Sequence, residues 1–317
     1  MRLKTLVMAL TSTVAFNALA TSESIVFTPE NIKAEIGLGN LTGKSKERVY
    51  LPEEGGWKGS QLDWKFSNVP IIKGGINWDF LPWLSANARG WTTIGQSGAS
   101  MVDRDWLDLN RPDKWTDESR HPDSHLNFAN EFDLNLTGWL LNKPDYRLGL
   151  MAGYQQTRYS FIAKGGSYIY SSDDGFRDMV GSFPDGERAI GYRQTFKTPY
   201  IGLTGNYRYN NFELSGSFKY SGWVNSSDTD EHYNPEKRVT YRSKVKDQNY
   251  YSVALNAGYY LTPNAKVYLE GTWNRITNKK GNTSLYDHNE KASDYTKNGA
   301  GIENYNFITT AGFKYSF

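Results

Sequence analysis

Apolar and polar side chains alternate over most of this chain. From Leu126 the even positions read Leu126, Phe128, Asn130, Phe132, Leu134, Leu136, Gly138 and Leu140, with Asn127, Ala129, Glu131, Asp133, Asn135 and Thr137 between them. A period of two puts an apolar face and a polar face on one strand. Phe212, Leu214, Gly216, Phe218 and Tyr220 repeat the pattern, as do Val253 to Leu261 and Ala265 to Trp273, and the chain finishes on Phe307, Thr309, Ala311, Phe313, Tyr315 and Phe317. No helical periodicity of comparable length competes with it.

The connections alternate as well. Four are short and turn-like, at Leu81-Pro82-Trp83, Asn142-Lys143-Pro144-Asp145, Tyr209-Asn210-Asn211 and Thr262-Pro263-Asn264. Five are long and polar, near 50–58, 92–124, 163–188, 226–242 and 278–300, and the segments between these nine connections predict ten strands. An even number of antiparallel strands, with short turns on one side and long loops on the other, describes an all-β, ten-stranded transmembrane β-barrel. Trp78, Trp83, Trp139 and Tyr209 near strand ends fit interfacial girdles. A soluble β-sandwich has shorter strands and less polarised loops. Several strands exceed the roughly 9–11 residues that cross the hydrocarbon, so the barrel should project beyond the membrane on the long-loop side. A barrel this narrow is filled by its own side chains rather than by a water-filled pore. The lumen-facing charges, including Glu131, Asp133 and Lys219, should therefore pair with one another.

Composition supports this picture. Of 317 residues, 22 are Tyr, 15 Phe, 10 Trp and 30 Gly, yet the mean hydropathy is -0.65. Polar on average and rich in aromatics and glycine, the chain suits β-structure with many turns. The absence of cysteine removes disulfides, thiol nucleophiles and thiolate-bound metals. Arg2 and Lys4 precede an apolar run from Leu6 to Leu19, and Ala18-x-Ala20 gives the small-x-small pattern of a cleaved export signal. Residues 1–20 are thus expected to be a signal peptide and 21–317 the barrel domain. Removing two basic residues from 36 leaves 34 against 34 acids, so charge offers no argument for nucleic acid.

Candidate chemistry lies in two of the long connections, which should meet on the outer side. One holds Met101-Val102-Asp103-Arg104-Asp105-Trp106 and the other Ser227-Asp228-Thr229-Asp230-Glu231-His232-Tyr233. Residues two apart share a face in extended backbone, so Asp103 would point with Asp105 and Asp230 with His232. A carboxylate pair facing a carboxylate–imidazole pair can hold a water, withdraw its proton and direct it at a carbonyl. Ser119 near His121 could be read as a serine-hydrolase fragment, but no G-x-S-x-G elbow accompanies it. A lone histidine among aspartates lacks dedicated metal-ligand spacing, and no metal or cofactor is expected.

The strings MVDRDW at 101–106, WTDESRHPD at 115–123, DEHY at 230–233, SKVKDQNYYSV at 243–253 and the ending GIENYNFITTAGFKYSF resemble the omptins, outer-membrane endoproteases of Gram-negative enteric bacteria. The likeness runs over essentially the whole mature chain. It implies endoproteolysis between consecutive basic residues in an extracellular groove, by direct attack of water. Asp230 and His232 match the family's water-activating pair, and Asp103 and Asp105 complete the site. Glu47 and Asp228 match its acidic pocket for the P1 side chain, and Asp117 the acid of the P1′ pocket. Ser119 then becomes a structural neighbour. Lipopolysaccharide is the implied partner and activator, with Tyr154, Arg158 and Lys246 matching the lipid-phosphate site. Lys246 has the opposite parity to Val253 and Leu255, so this match requires a bulge. Two positions depart from the family pattern: Gln156 replaces an acid and Thr195 a base, with Arg193 and Lys197 on the same face as Thr195. The dibasic Lys237-Arg238, close to His232, is a candidate for self-cleavage, and Lys279-Lys280 begins the fifth outer stretch. Some omptins also promote adhesion or invasion, so a non-catalytic adhesin barrel is the alternative. A lipid hydrolase would need a lipid-facing Ser–His pair, which is not legible. A closed barrel has no free edge that demands a partner, and a monomer is expected.

Overall fold

A computed structural model describes residues 31–234 and 238–317; the expected signal peptide and Lys237 of the dibasic pair lie outside the described residues. Antiparallel strands form a closed ring of ten staves. Stave one is β1 (Ile32–Leu51) and stave two β2 (Trp57–Leu81). Stave three is split into β3 (Leu84–Thr93) and β4 (Ser97–Asp105), and stave four is β5 (Asp117–Asn142). Stave five is β6 (Tyr146–Lys164), continued past Gly165-Gly166 by β7 (Ser167–Tyr170), against which the short β8 (Met179–Ser182) folds back. Staves six, seven and eight are β9 (Arg188–Tyr209), β10 (Phe212–His232) and β11 (Val239–Tyr260). Stave nine is split into β12 (Ala265–Ile276) and β13 (Lys280–Asp287), and β14 (Ala292–Ser316) closes the ring on β1.

The four predicted turns link β2–β3, β5–β6, β9–β10 and β11–β12 at one rim. The long polar stretches are not simply loops. Residues 97–105, 117–124, 226–232 and 280–287 are strands that carry the wall beyond the membrane. Apolar alternation fades there because neither face meets lipid, while the backbone ladder continues.

The outward face of the lower barrel is a belt of exposed apolar residues, among them Ile36, Leu38, Ile76, Leu136, Leu150, Leu214, Leu255 and Leu269. Alternation is broken by bulges, two of which bear on the outer half of the barrel. The β5–β6 register shifts between Leu126 and Phe128, so Leu126 points inward and is fully buried, against the expected outward face. The β10–β11 register shifts between Ser221 and Ser226, opposite Asp247, whose φ is 55°. This is the bulge that Lys246 requires: Lys246 is exposed while Val245 and Gln248 are buried. Trp139 also departs from expectation. It has the inward parity of Asp133, Asn135 and Thr137, donates to Ser85 Oγ at 2.7 Å and lies 3.7 Å from the Arg147 guanidinium. Facing the lumen, it does not belong to a girdle; Trp83 and Tyr209 remain exposed.

The lumen is filled in two layers. Near the turns, charges pair: Lys73 with Glu270 at 2.5 Å, Lys266 with Glu213 at 2.5 Å and Lys33 with Asp79 at 2.9 Å. Asp133 is the hub, accepting from Lys219 Nζ and from Tyr200 OH at 2.5 Å, with Arg89 at 3.7 Å. Glu131 differs from the expected pairing: it accepts from Thr157 Oγ1 at 2.7 Å instead of meeting a cation. Above this layer Trp64 packs against both Phe161 and Tyr192, at 5.1 and 5.8 Å, and Phe66 meets Tyr159 at 5.7 Å. This buried aromatic plug is the platform on which the outer groove rests.

Candidate active site

At the outer end the wall forms two lips. One consists of β2, β4, β5, β7 and β8, the other of β9, β10, β11, β13 and β14. On the first lip the inward parity of β4 is set by Met101, which is fully buried, so Asp103 and Asp105 also face inward. On the second, Ser226, Asp228 and Asp230 are buried along one face of β10, and His232 continues it. The two pairs predicted from sequence are thus brought together, on strands and not in loops. Glu47 reaches the same floor from β1, opposite Leu62 of β2 and Ile302 of β14, and is buried.

Specific bonds fix several of these groups. His232 Nε2 lies 2.7 Å from Asp230 Oδ2. With the Nε2 proton held by the carboxylate, Nδ1 is left as the basic atom of the ring. Ser60 Oγ donates to Asp103 Oδ1 at 3.1 Å. Asp228 accepts from the Ser243 amide and from Tyr192 OH, both at 3.1 Å, which ties it to the aromatic plug. By contrast, Glu47 Oε2 and Asp230 Oδ1 are buried and accept no hydrogen bond. Such orphans are costly unless something else occupies the space before them.

The crowding of carboxyls dominates the electrostatics of this part, which lies outside the membrane. Burial, reinforced by Asp230, Asp228 and Asp103, pushes Glu47 well above the usual carboxylate range. Burial and the neighbouring Asp105 do the same to Asp103. Asp228 is pushed up to about 7, chiefly by burial. For His232 burial acts in the opposite sense, but the charge and hydrogen bond of Asp230, then Asp103 and Asp105, override it and raise its pKa to about 9. The cluster therefore stores protons that an incoming cation could displace.

Asp117 is half-buried. It faces Asp105 across the β4–β5 ladder, and its Oδ1 accepts from the Ser171 amide at 3.0 Å. Ser119 and His121 of β5 are both buried. The Ser119 hydroxyl is 3.1 Å from Nε2 of His121, whose Nδ1 lies 2.5 Å from the Gly165 carbonyl oxygen. The pair anchors the β6–β7 junction. There Gly166 has a φ of 107°, and a Cβ would collide with the Arg120 carbonyl oxygen. Among the described residues no three His, Asp or Glu side chains are grouped to hold a metal ion.

Two tyrosines of the groove were not singled out by sequence. Tyr241 of β11 lies edge-on to His232, with ring centroids 5.7 Å apart, and burial, followed by the charges of the surrounding acids, pushes its phenol up to about 12. Tyr170 of β7 continues the row Asp105–Asp117, since Glu118 pairs with Ile169; Asp103, Asp105 and Asp117 hold its phenol above the usual range after burial. The period-two string Ser167-Tyr168-Ile169-Tyr170 after two glycines was the available signal.

On the outer surface Tyr154, Gln156 and Arg158 share the lipid-facing side of β6. Arg158, Thr195, Ser227 and Lys244 form one row across four staves, with Lys197, Lys246, Arg193 and Arg242 exposed close by. Lys244, not Lys246, is level with Arg158. With the Gln156 amide oxygen turned toward Arg158, the contacts are 2.6 and 2.9 Å. Of the second dibasic pair, Lys279 and Lys280 donate to the carbonyls of Asp247 and Gly56, at 3.0 and 2.7 Å.

Comparison with known proteins gives the chain's family and fold. The model of the omptin family matches residues 28–317. Protease 7 of Escherichia coli strain K12 is 72% identical over 317 residues, covering all of both chains. The plasminogen activator of Yersinia pestis is 44% identical over 320 residues, again with full coverage of both. The crystal structure of the outer membrane protease OmpT from Escherichia coli superimposes with a TM-score of 0.91 at 74% identity, covering 93% of this chain and 99% of that one.

Proposed function

The chain belongs to the omptin family of Gram-negative outer-membrane proteases, and from that premise we propose that it cuts polypeptides between two consecutive basic residues, by a water molecule that Asp230 and His232 activate. The observation that carries this reading is the acidic groove floor. The charges acting on buried Glu47 are those of Asp230, Asp228 and Asp103, and the orphaned oxygens of Glu47 and Asp230 are free to accept from a guest donor. A guanidinium supplies five N–H donors in a fork suited to two carboxylates. Glu47 and Asp228 form the P1 pocket, and Asp117 on the other lip receives the P1′ side chain.

In this mechanism His232 Nδ1 withdraws a proton from water as its oxygen attacks the scissile carbonyl carbon. Asp230 holds the opposite proton of the ring and stabilises the imidazolium. Asp103, which retains its proton readily, donates a hydrogen bond to the developing oxyanion, with Asp105 beside it. The tetrahedral intermediate collapses as His232 returns its proton to the leaving amine. No acyl-enzyme forms, and neither a cofactor nor a metal takes part. Lipopolysaccharide acts as activator at the outer-surface cluster that includes Tyr154, Arg158 and Lys246. Lys197 and Lys244 offset the base lost at Thr195, and Gln156 takes the place of the missing acid beside Arg158.

Asp228→Asn tests the P1 pocket. Peptides with P1 Arg should bind about tenfold more weakly while kcat at saturation stays within a fewfold, because one charge-assisted contact is lost before the chemical step. An unchanged preference for P1 Arg over P1 Ala would defeat the assignment.

Substrate binding should also release protons. A guanidinium entering the pocket favours ionised Asp228, now near 7, and disfavours the His232 imidazolium, now near 9. Both changes expel a proton, so affinity for an uncleavable Arg-Arg peptide should rise with pH from below 7 toward 9. Calorimetry in buffers of different ionisation enthalpy reads the sign directly; net proton uptake would contradict the electrostatic picture.

A further inference from the structure

Arg177, in the segment between β7 and β8, makes the most extensive contact of that segment with the corner between β4 and β5. Arg177 Nε and Nη2 donate to the Trp115 carbonyl oxygen at 2.9 and 2.6 Å, and the guanidinium lies 3.3 Å from the centre of the Trp115 ring. Phe176 is flanked by Arg177 at 4.7 Å and by Arg111 at 4.6 Å. The Arg177 backbone takes a φ of 58°, a left-handed conformation uncommon for a long side chain and retained only where surrounding contacts hold it. From this clasp a line of hydrogen bonds runs into the groove. The Arg177 amide donates to Ser171 Oγ at 3.0 Å, Ser171 Oγ donates to the Thr116 carbonyl at 2.8 Å, and the Ser171 amide donates to Asp117 Oδ1 at 3.0 Å. The Thr116 amide in turn donates to the Asp105 carbonyl at 2.7 Å.

We propose that Arg177 is a positioning residue for the leaving-group side of the groove, holding the Asp117 carboxylate and the neighbouring Tyr170 in place for the basic residue that follows the scissile bond. This rests on the assignment of Asp117 to the P1′ pocket. Asp117 Oδ1 is fixed by the Ser171 amide, so Oδ2 is the atom a P1′ cation meets, and its direction is set before substrate arrives. Without the guanidinium on the Trp115 carbonyl, the turn holding Ser171 loses the strongest of its tethers, and more of the ordering of the carboxylate comes at the expense of binding.

The test compares two peptides that differ only at P1′, Arg-Arg and Arg-Ala, with folding of each variant checked by the migration of unboiled barrel on gels. Arg177→Ala should raise KM for Arg-Arg by about tenfold, with kcat within about twofold and KM for Arg-Ala unchanged within about twofold. Arg177→Lys, which keeps the charge but loses the fork and the stacking, should fall between, and it serves as the test should the alanine variant not fold. Asp117→Asn should reproduce the selective rise, and Asp117→Asn with Arg177→Ala should add little to it, since both act on one contact. Equal losses on both peptides, or none on either, in the Arg177 variants would overturn the positioning role. An Asp117→Asn variant that leaves P1′ discrimination intact while Asp228→Asn still alters P1 would overturn the Asp117 assignment and the proposal with it.

Discussion

Asp230→Asn is expected to lower kcat by about a thousandfold to ten-thousandfold with a far smaller change in KM. Asp230 performs two tasks that asparagine cannot: its charge stabilises the imidazolium formed when water is deprotonated, and its Oδ2, 2.7 Å from Nε2, fixes the tautomer. An amide can present its NH2 group to Nε2, which forces that nitrogen to accept and places the proton on Nδ1, where the base should be. The same substitution removes the largest influence raising His232, so its pKa should fall from about 9 toward the ordinary histidine range, readable by NMR titration. With a raised value, the His232–Asp230 pair contributes stability that is fully present below the ordinary histidine pKa and fades as pH rises through about 9. A kcat within tenfold of wild type would remove Asp230 from the chemical step.

Asp133→Ala should be the most damaging change to the scaffold, at about 3–5 kcal/mol. Asp133 alone joins Lys219, Tyr200 and Arg89, and it is buried together with Lys219 and Tyr200. Its removal leaves the buried Lys219 with only the Gln155 carbonyl oxygen at 3.2 Å, and Arg89 without its carboxylate. Reversible urea unfolding in lipid vesicles gives the comparison. Pairing Asp133→Ala with Lys219→Met should recover part of the loss, because the unpaired cation goes with it. A single variant as stable as wild type would mean that the lumen hydrates freely.

These two sites were legible in the sequence to different degrees. The staves that cross the membrane could be read because lipid on one face and a polar lumen on the other impose a strict period of two, as in Leu134, Leu136 and Leu140. The extensions at 97–105 and 226–232 read as loops because both their faces are polar, although the ladder is unbroken. The bulges beside Leu126 and at Asp247 were hidden for a simpler reason: a single extra residue inverts the faces without changing composition. The Lys246 match did signal one of them. In the groove, Asp103 with Asp105 and Asp230 with His232 could be read as i, i+2 pairs, because their chemistry and spacing are local. Arg177 and Tyr170 could not, since their roles arise from pairing between β5 and β7 and from a carbonyl sixty-two positions away.

The most direct test of dibasic endoproteolysis is mass-spectrometric mapping of a quenched peptide with a central Arg-Arg, incubated with refolded protein with and without lipopolysaccharide, beside His232→Ala. Cleavage between the two arginines that requires the lipid and vanishes in the variant is the expected result. Cleavage at another bond, or at the same bond by the His232→Ala variant, would contradict it.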